Sequence, residues 1–105
     1  MGGKSGFFKD LEGLMQFPKE GIFSTVLAKS STYNYTLMCL SKGTDIEEHT
    51  STMNGVVYVL KGKGVFTLLG KKILMKQGIF IFMPANSPHS LKAHDDLAIL
   101  LCLSK

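Results

Sequence analysis

The sequence predicts an all-β domain, and three observations lead to that prediction. From Ile22 onward, short apolar segments are separated by turn-forming residues at short and regular intervals. No helical periodicity is visible after residue 25. Glycines punctuate the series at positions 43, 55, 62, 64, 70 and 78, and prolines at positions 84 and 88 close it. Many short strands with even turn spacing are typical of a sandwich or a closed barrel.

The predicted strands follow one another closely, and several are apolar on both faces. In order they read IFSTVLAK, TYNYTLMCL, NGVVYVLKG, GVFTLLG, KILMKQG, IFIFMP and LAILLCLS. A strand with one solvated face should alternate, whereas VVYVL and IFIFM do not. The outer face therefore needs a cover. We expect the N-terminal segment to cover part of it, and a second copy of the chain, in a homodimer, to cover the rest.

The chain divides into two predicted regions within a single domain. Residues 1–24 are expected to form an irregular segment that packs on the barrel or on the partner subunit, and residues 25–105 the barrel itself. A short helix is predicted within FFKDLEGLMQ, residues 7–16, because its apolar residues share one helical face. Proline and glycine at positions 18 and 21 then end it.

Composition excludes several classes of partner. The net charge is +4 and every basic residue is lysine, which argues against a nucleic-acid partner because base and phosphate recognition favours arginine. The lysines between residues 48 and 95 fit solvent-facing strand edges better than a basic rim for an anionic ligand. The sequence shows no membrane helix and no secretion signal, so we expect no membrane partner. Cys39 and Cys102 are predicted to be free thiols in a cytoplasmic protein.

Three histidines are the candidates for chemistry. His49 enters a strand after a turn, and His89 follows the tight turn of PANSPH. His94 lies beside two aspartates in a predicted exposed loop, and strand alternation would point it away from His89. His49 and His89 are therefore the candidate site residues.

The spacing of glycine, proline and histidine resembles that of a small single-domain cupin. Gly43, His49 and Gly62 match the first cupin motif, and Gly78, Pro84 and His89 match the second. The resemblance covers residues 33–103. It implies a double-stranded β-helix, or jelly-roll barrel, with a short irregular or helical N-terminal segment.

The departures from those motifs concern the metal ligands that the resemblance implies. Ser51 stands where the family has its second histidine, and Gly55 where it has a glutamate. In the second motif, Asn86 replaces a glycine and Ala93 an asparagine. Two imidazoles alone do not make the three- or four-ligand site that a transition metal normally needs. We therefore predict no cofactor, and keep a divalent metal ion on His49 and His89 as the alternative.

Strand alternation predicts the walls of a ligand pocket. If residues 49–59 form one regular strand, the odd positions share a face. The predicted pocket residues are then His49, Ser51, Met53, Val57 and His89. We expect the loss of larger side chains at positions 51 and 55 to enlarge the pocket, and residues 35, 37 and 39 to line its opposite wall. Either residues 80 and 82 or residues 79, 81 and 83 face inward.

The predicted function is that of a small-molecule-binding cupin in which two histidines are the polar anchors. A neutral imidazole offers one donor and one acceptor, so a pair can orient a carbonyl, hydroxyl or carboxylate group. Whether the protein is an enzyme stays open. The alternative is a metal-dependent cupin enzyme, a dioxygenase or isomerase, with a reduced ligand set. A third reading is an accessory protein whose surfaces carry the function, because the fold alone does not select a chemistry.

Overall fold

A computed structural model describes residues 5–105, so the first four residues of the predicted N-terminal segment lie outside the described part. Most of that part is β-strand, as predicted. The elements are α1 (Leu11–Leu14), β1 (Ile22–Lys29), β2 (Tyr33–Leu40), β3 (Asp45–His49), β4 (Asn54–Lys61), β5 (Gly64–Leu68), β6 (Lys71–Met75), β7 (Phe80–Met83), β8 (His89–Ala93) and β9 (Leu97–Ser104). The first strand begins at Ile22, as the segment IFSTVLAK predicts, which is three residues before the boundary of residue 25 that we predicted for the barrel.

The strands form two antiparallel sheets that face each other. The larger sheet has the order β1-β2-β9-β4-β7, and the smaller sheet has the order β3-β8-β5-β6. Strands that are distant in the chain, such as β2 and β9, lie side by side, as the double-stranded β-helix requires. The jelly-roll prediction is confirmed.

The main core lies between the two sheets. On β4 and β7 the odd-numbered residues point into it, including Val57, Val59, Ile81 and Met83. Phe80 and Phe82 point outward and are exposed, which settles the alternative left open for that strand. On β2, Leu40 and Met38 belong to this core.

A second apolar cluster lies on the outer face of the five-stranded sheet. Leu37, Cys39 and Ala98 are fully buried there. They are covered by the chain that precedes β1, through Leu14 and its neighbours at positions 15 and 17. The expectation that residues 37 and 39 line the cavity is thus wrong, because β2 turns them outward and the N-terminal segment buries them.

The helical content of the described chain is small. Residues 11–14 form one turn of α-helix, shorter than the helix predicted for residues 7–16. Within residues 5–105, no helix combines the length and hydropathy needed to cross a bilayer.

Candidate functional site

The two candidate histidines meet at one end of the smaller sheet. His49 is the last residue of β3 and His89 the first residue of β8, and the two are cross-strand partners. Their ring centroids are 4.2 Å apart, with the ring planes tilted by 59°. Two residues forty positions apart in the sequence thus present neighbouring imidazoles.

A β-bulge in β3 gives His49 its direction. Ile46 pairs with Leu91, and His49 pairs with His89, so three steps along β3 correspond to two along β8. Without the extra residue, Ile46 and His49 would point to opposite faces, because side chains alternate along a strand. A bulge removes that constraint and re-aims the side chains on one side of it. As a result both Ile46 and His49 line the same cavity.

Hydrogen bonds tie together the two loops that flank the histidines. The Asn86 N–H donates to the carbonyl oxygen of Ser51 at 2.6 Å, and the Ala85 N–H donates to the Asn54 side-chain oxygen at 3.0 Å. Asn86 has φ 68°, a left-handed conformation that asparagine tolerates better than most residues. The asparagine that replaces the motif glycine therefore keeps the turn before His89.

The hydrogen bonds of the two imidazoles define their tautomers. His49 Nδ1 lies 2.9 Å from the carbonyl oxygen of Glu47, and His89 Nδ1 lies 2.8 Å from that of Ser87. A carbonyl oxygen can only accept, so each Nδ1 carries the proton and donates it. In the neutral form each Nε2 is then an acceptor. Both rings repeat one arrangement, a donor bond to the carbonyl two residues earlier.

The two histidines differ in burial. His89 is only 7 % exposed and its ring stacks on Phe66, with centroids 5.7 Å apart and planes 11° from parallel. His49 is exposed and lies at the rim. In residues 5–105 no buried side-chain nitrogen or oxygen lacks a hydrogen-bond partner. Since the only side-chain bond of His89 is made by Nδ1, its Nε2 must face accessible space.

Both histidines line a cavity of about 300 Å³ between the two sheets. Its lining is almost entirely apolar, and among the described residues Ser90 is the only polar one besides the two histidines. The lining residues are Ile22, Met38, Ile46, His49, Val57, Phe66, Met83, His89, Ser90, Leu91, Ile99 and Leu101. The cavity is at the lower end of the range of small-molecule sites, which are also mostly apolar with few polar groups.

The structure brings together His49, Val57 and His89 of the five predicted pocket residues, but Ser51 and Met53 do not line the cavity. The reason is that residues 49–59 are not one strand. β3 ends at His49 and β4 begins at Asn54. In the intervening loop, the Ser51 hydroxyl accepts a hydrogen bond from the Met53 N–H at 3.1 Å. Alternation carried through this loop therefore selects the wrong residues.

The prediction missed the cavity walls that come from other strands. Met38 lies on β2 and Phe66 on β5, whereas Met83 on β7 belongs to one of the two alternatives left open for that strand. Nothing local in the sequence distinguishes these residues from other core positions. Only the pairing of the strands places them opposite the histidines.

The site does not fit the metal that the two motifs would suggest. In the described residues, no group of three or more histidine, cysteine, aspartate or glutamate side chains is arranged to hold an ion. Gly55 leaves no room for a ligand either, since a Cβ atom there would lie 2.5 Å from Met83 Cε and 3.2 Å from Leu103 Cδ2. Met83 occupies the space beside Gly55, so the expected enlargement at this position is absent.

Comparison with known proteins agrees with this architecture. The model of the Cupin_2 family, a cupin domain, matches residues 36–104. A conserved protein of unknown function from Streptococcus pyogenes superposes with a TM-score of 0.87 at 26% identity, covering 97% of this chain and 90% of that one. A Cupin 2 conserved barrel domain protein from Leptotrichia buccalis gives 0.83 at 28% identity, covering 90% of this chain and 46% of that one.

An enzyme with this fold is also among the similar structures. A mutant of the salicylate 1,2-dioxygenase of Pseudoaminobacter salicylatoxidans superposes with a TM-score of 0.74 at 18% identity, over 80% of this chain and 26% of that one. At that identity the likeness concerns the fold alone. No curated protein matches the chain. The family match covers about two thirds of the chain, the strand order is that of the barrel, and the chain therefore belongs to the Cupin_2 family of cupin domains.

Proposed function

We propose that this cupin binds a small molecule in the cavity between its sheets, with His49 and His89 as polar anchors and without a complete metal site. One observation carries the proposal. Two imidazoles that are held by backbone carbonyls converge, 4.2 Å apart, on an apolar cavity of about 300 Å³. An empty apolar cavity beside imidazole acceptors that have no partner would be unfavourable in a protein core, whereas the same arrangement suits a bound ligand.

Fragment binding followed by methionine-methyl NMR tests this proposal. Met38 and Met83 both line the cavity, so their methyl signals report on its contents. We expect neutral fragments of about ten non-hydrogen atoms to shift both signals, since the cavity holds about ten waters at about 30 Å³ each. Met15 lies on the outer face and serves as the internal control. If no fragment moved Met38 or Met83 more than Met15, the proposal would be wrong.

The second candidate is a metal-dependent enzyme with a reduced ligand set. It is favoured by the hydrogen bonds of the imidazoles, because metal-binding histidines usually donate their other N–H to a carbonyl or carboxylate. Elemental analysis of the protein made without an affinity tag separates the two candidates. Stoichiometric divalent metal that disappears in His49→Ala would support the enzyme and contradict the first proposal.

A homodimer through the larger sheet is part of the proposal. Two cross-strand rows, Tyr35–Cys102–Val56–Phe82 and Leu37–Leu100–Tyr58–Phe80, run over its outer face without a charged residue. The exposed fractions are 37% for Tyr35, 38% for Tyr58, 63% for Phe80 and 53% for Phe82. At about 200 Å² per aromatic side chain these four leave about 400 Å² exposed, which is within the range of the largest patch on a typical monomer and about half of one partner's share in a stable interface.

Sedimentation velocity tests the homodimer. We expect the wild-type chain to sediment as a dimer and Phe82→Glu as a monomer. Leu74→Glu is the matched control, because Leu74 is more exposed than Phe82 but lies on β6 of the other sheet. A wild-type monomer at high concentration, or dissociation by Leu74→Glu alone, would contradict this interface.

The proposed setting is the cytoplasm, with no nucleic-acid partner. Cys39 and Cys102 are free thiols, as suits a reducing compartment. The absence of arginine leaves only lysine to contact phosphates. Cell fractionation and a filter-binding assay with RNA and DNA check these two points.

A further inference from the structure

The polar groups of the cavity present one kind of hydrogen-bonding partner. Both Nδ1–H groups donate to the carbonyl oxygens of Glu47 and Ser87. The only ring nitrogen that each neutral imidazole has left for a ligand is therefore Nε2, which is an acceptor. The two rings are 4.2 Å apart, so these acceptors lie within the reach of one small ligand. The two histidines therefore favour a ligand that donates a hydrogen bond.

The remaining lining does not change that preference. No lysine, aspartate or glutamate of residues 5–105 lines the cavity. A carboxylate or phosphate would thus meet two acceptor lone pairs and no cation, and an ammonium group would meet no carboxylate. Burying an ion without a counter-charge is strongly unfavourable. Ser90, the only other polar residue of the lining within residues 5–105, lies between His89 and Leu91 on β8, where alternation turns its hydroxyl toward the opposite face of the sheet.

We propose that the cavity selects a neutral ligand with a hydroxyl or N–H donor on a compact apolar body, and discriminates against carbonyl compounds and anions of the same size. This inference rests on the proposed function and adds the chemical class of the ligand. The donor bonds to Nε2 of His89 or His49, while the apolar body contacts Met38, Met83 and Phe66.

Two probes of equal size test the preference. Cyclohexanol and cyclohexanone have the same number of non-hydrogen atoms, but only the alcohol donates a hydrogen bond. At pH 8, where histidine side chains are ordinarily neutral, we expect the alcohol to bind about tenfold more tightly, which is the upper end of the effect of one net hydrogen bond. Cyclohexanecarboxylate should bind more weakly than either. The methyl signals of Met38 and Met83 measure all three affinities.

Variants show whether the histidines cause the preference. His49→Phe and His89→Phe together should remove it, so that alcohol and ketone bind equally. Each single variant should reduce the preference for the alcohol. Of the two, His49→Phe is expected to disturb folding less, because His49 is exposed. His94→Phe is the matched control, since His94 is exposed and lies outside the cavity, and it should keep the tenfold difference.

The outcomes separate this inference from the proposed function. Equal binding of alcohol and ketone by the wild-type protein, or preferred binding of the carboxylate, would overturn the inference and leave the binding site intact. Failure of all fragments to move the Met38 and Met83 signals would overturn both. A tenfold preference that persists in the double variant would also overturn the role given to the histidines.

Discussion

The two faces of the five-stranded sheet are both apolar, yet they are covered in different ways. The inner face, with Gly55, Val57 and Met83, meets the second sheet and borders the cavity. The outer face is covered near Leu37 and Cys39 by the N-terminal segment, and its aromatic end remains exposed. One face is thus closed within the chain, and the other is only partly closed.

A strand that is apolar on both faces therefore needs a separate explanation for each face. The inner face follows from the barrel itself. The outer face depends on chain that is not part of the barrel, first the segment before β1 and then, in our proposal, a second copy. Substitutions that reverse polarity on each face should therefore have very different effects.

The largest effect is expected from Gly55→Glu on the inner face. Even its Cβ atom would overlap Met83 Cε, and its carboxylate would enter an apolar core. We expect a loss of at least about 3 kcal/mol in the free energy of unfolding, measured by urea denaturation. Adding Met83→Ala should recover part of this loss, because it removes the side chain that blocks the position.

Phe82→Glu is the matched change on the outer face of the neighbouring strand. Because Phe82 is half exposed, we expect a loss of less than about 1 kcal/mol in the unfolding of the monomer. If Gly55→Glu and Phe82→Glu lowered the free energy of unfolding by comparable amounts, the inner and outer faces would not differ in burial as described.

A clear effect, second to that of Gly55→Glu, is expected under the N-terminal segment. Leu37 is fully buried although it lies on the outer face, so Leu37→Ala should cost about 2–4 kcal/mol. Tyr35→Ala, two residues earlier on the same face but beyond the cover, should cost about 1 kcal/mol or less. Thermal and urea unfolding measure both. A small loss for Leu37→Ala would show that the segment does not pack as a cover.

The smallest effect concerns the thiol at the open end of the outer face. Desolvation by burial raises the pKa of Cys102 above the usual 9.0. A raised pKa leaves less thiolate at pH 8, so iodoacetamide should alkylate Cys102 more slowly than a free thiol. The sign also means that native stability falls as the pH rises above 9.0, where the unfolded chain ionises more readily. Alkylation at the rate of a free thiol would contradict this.

The sequence predicted the barrel well because its signals are local. Glycine and proline mark the turns, and the apolar segments between them mark seven of the nine strands in residues 5–105, so those seven could be placed without their partners. The pair His49 and His89 was also found, from the spacing that resembles cupin motifs. The N-terminal cover followed from the need to bury a second apolar face.

The cavity walls could not be predicted, for physical reasons that lie outside any one strand. Alternation failed across residues 50–53 because a loop interrupts the strand, and a bulge before His49 changes which side chains share a face. Met83 fills the room at Gly55 from the neighbouring strand. The bulge and the placement of Met83 both depend on the register between strands, which the pattern of a single strand does not contain.

The claim on which the account depends is that two imidazoles direct acceptor nitrogens into the cavity. A long-range ¹H–¹⁵N spectrum of the histidine rings at pH 8 measures the tautomers directly. We predict that both His49 and His89 carry their proton on Nδ1 and none on Nε2. A proton on Nε2 of either ring would remove the paired acceptors and contradict the account.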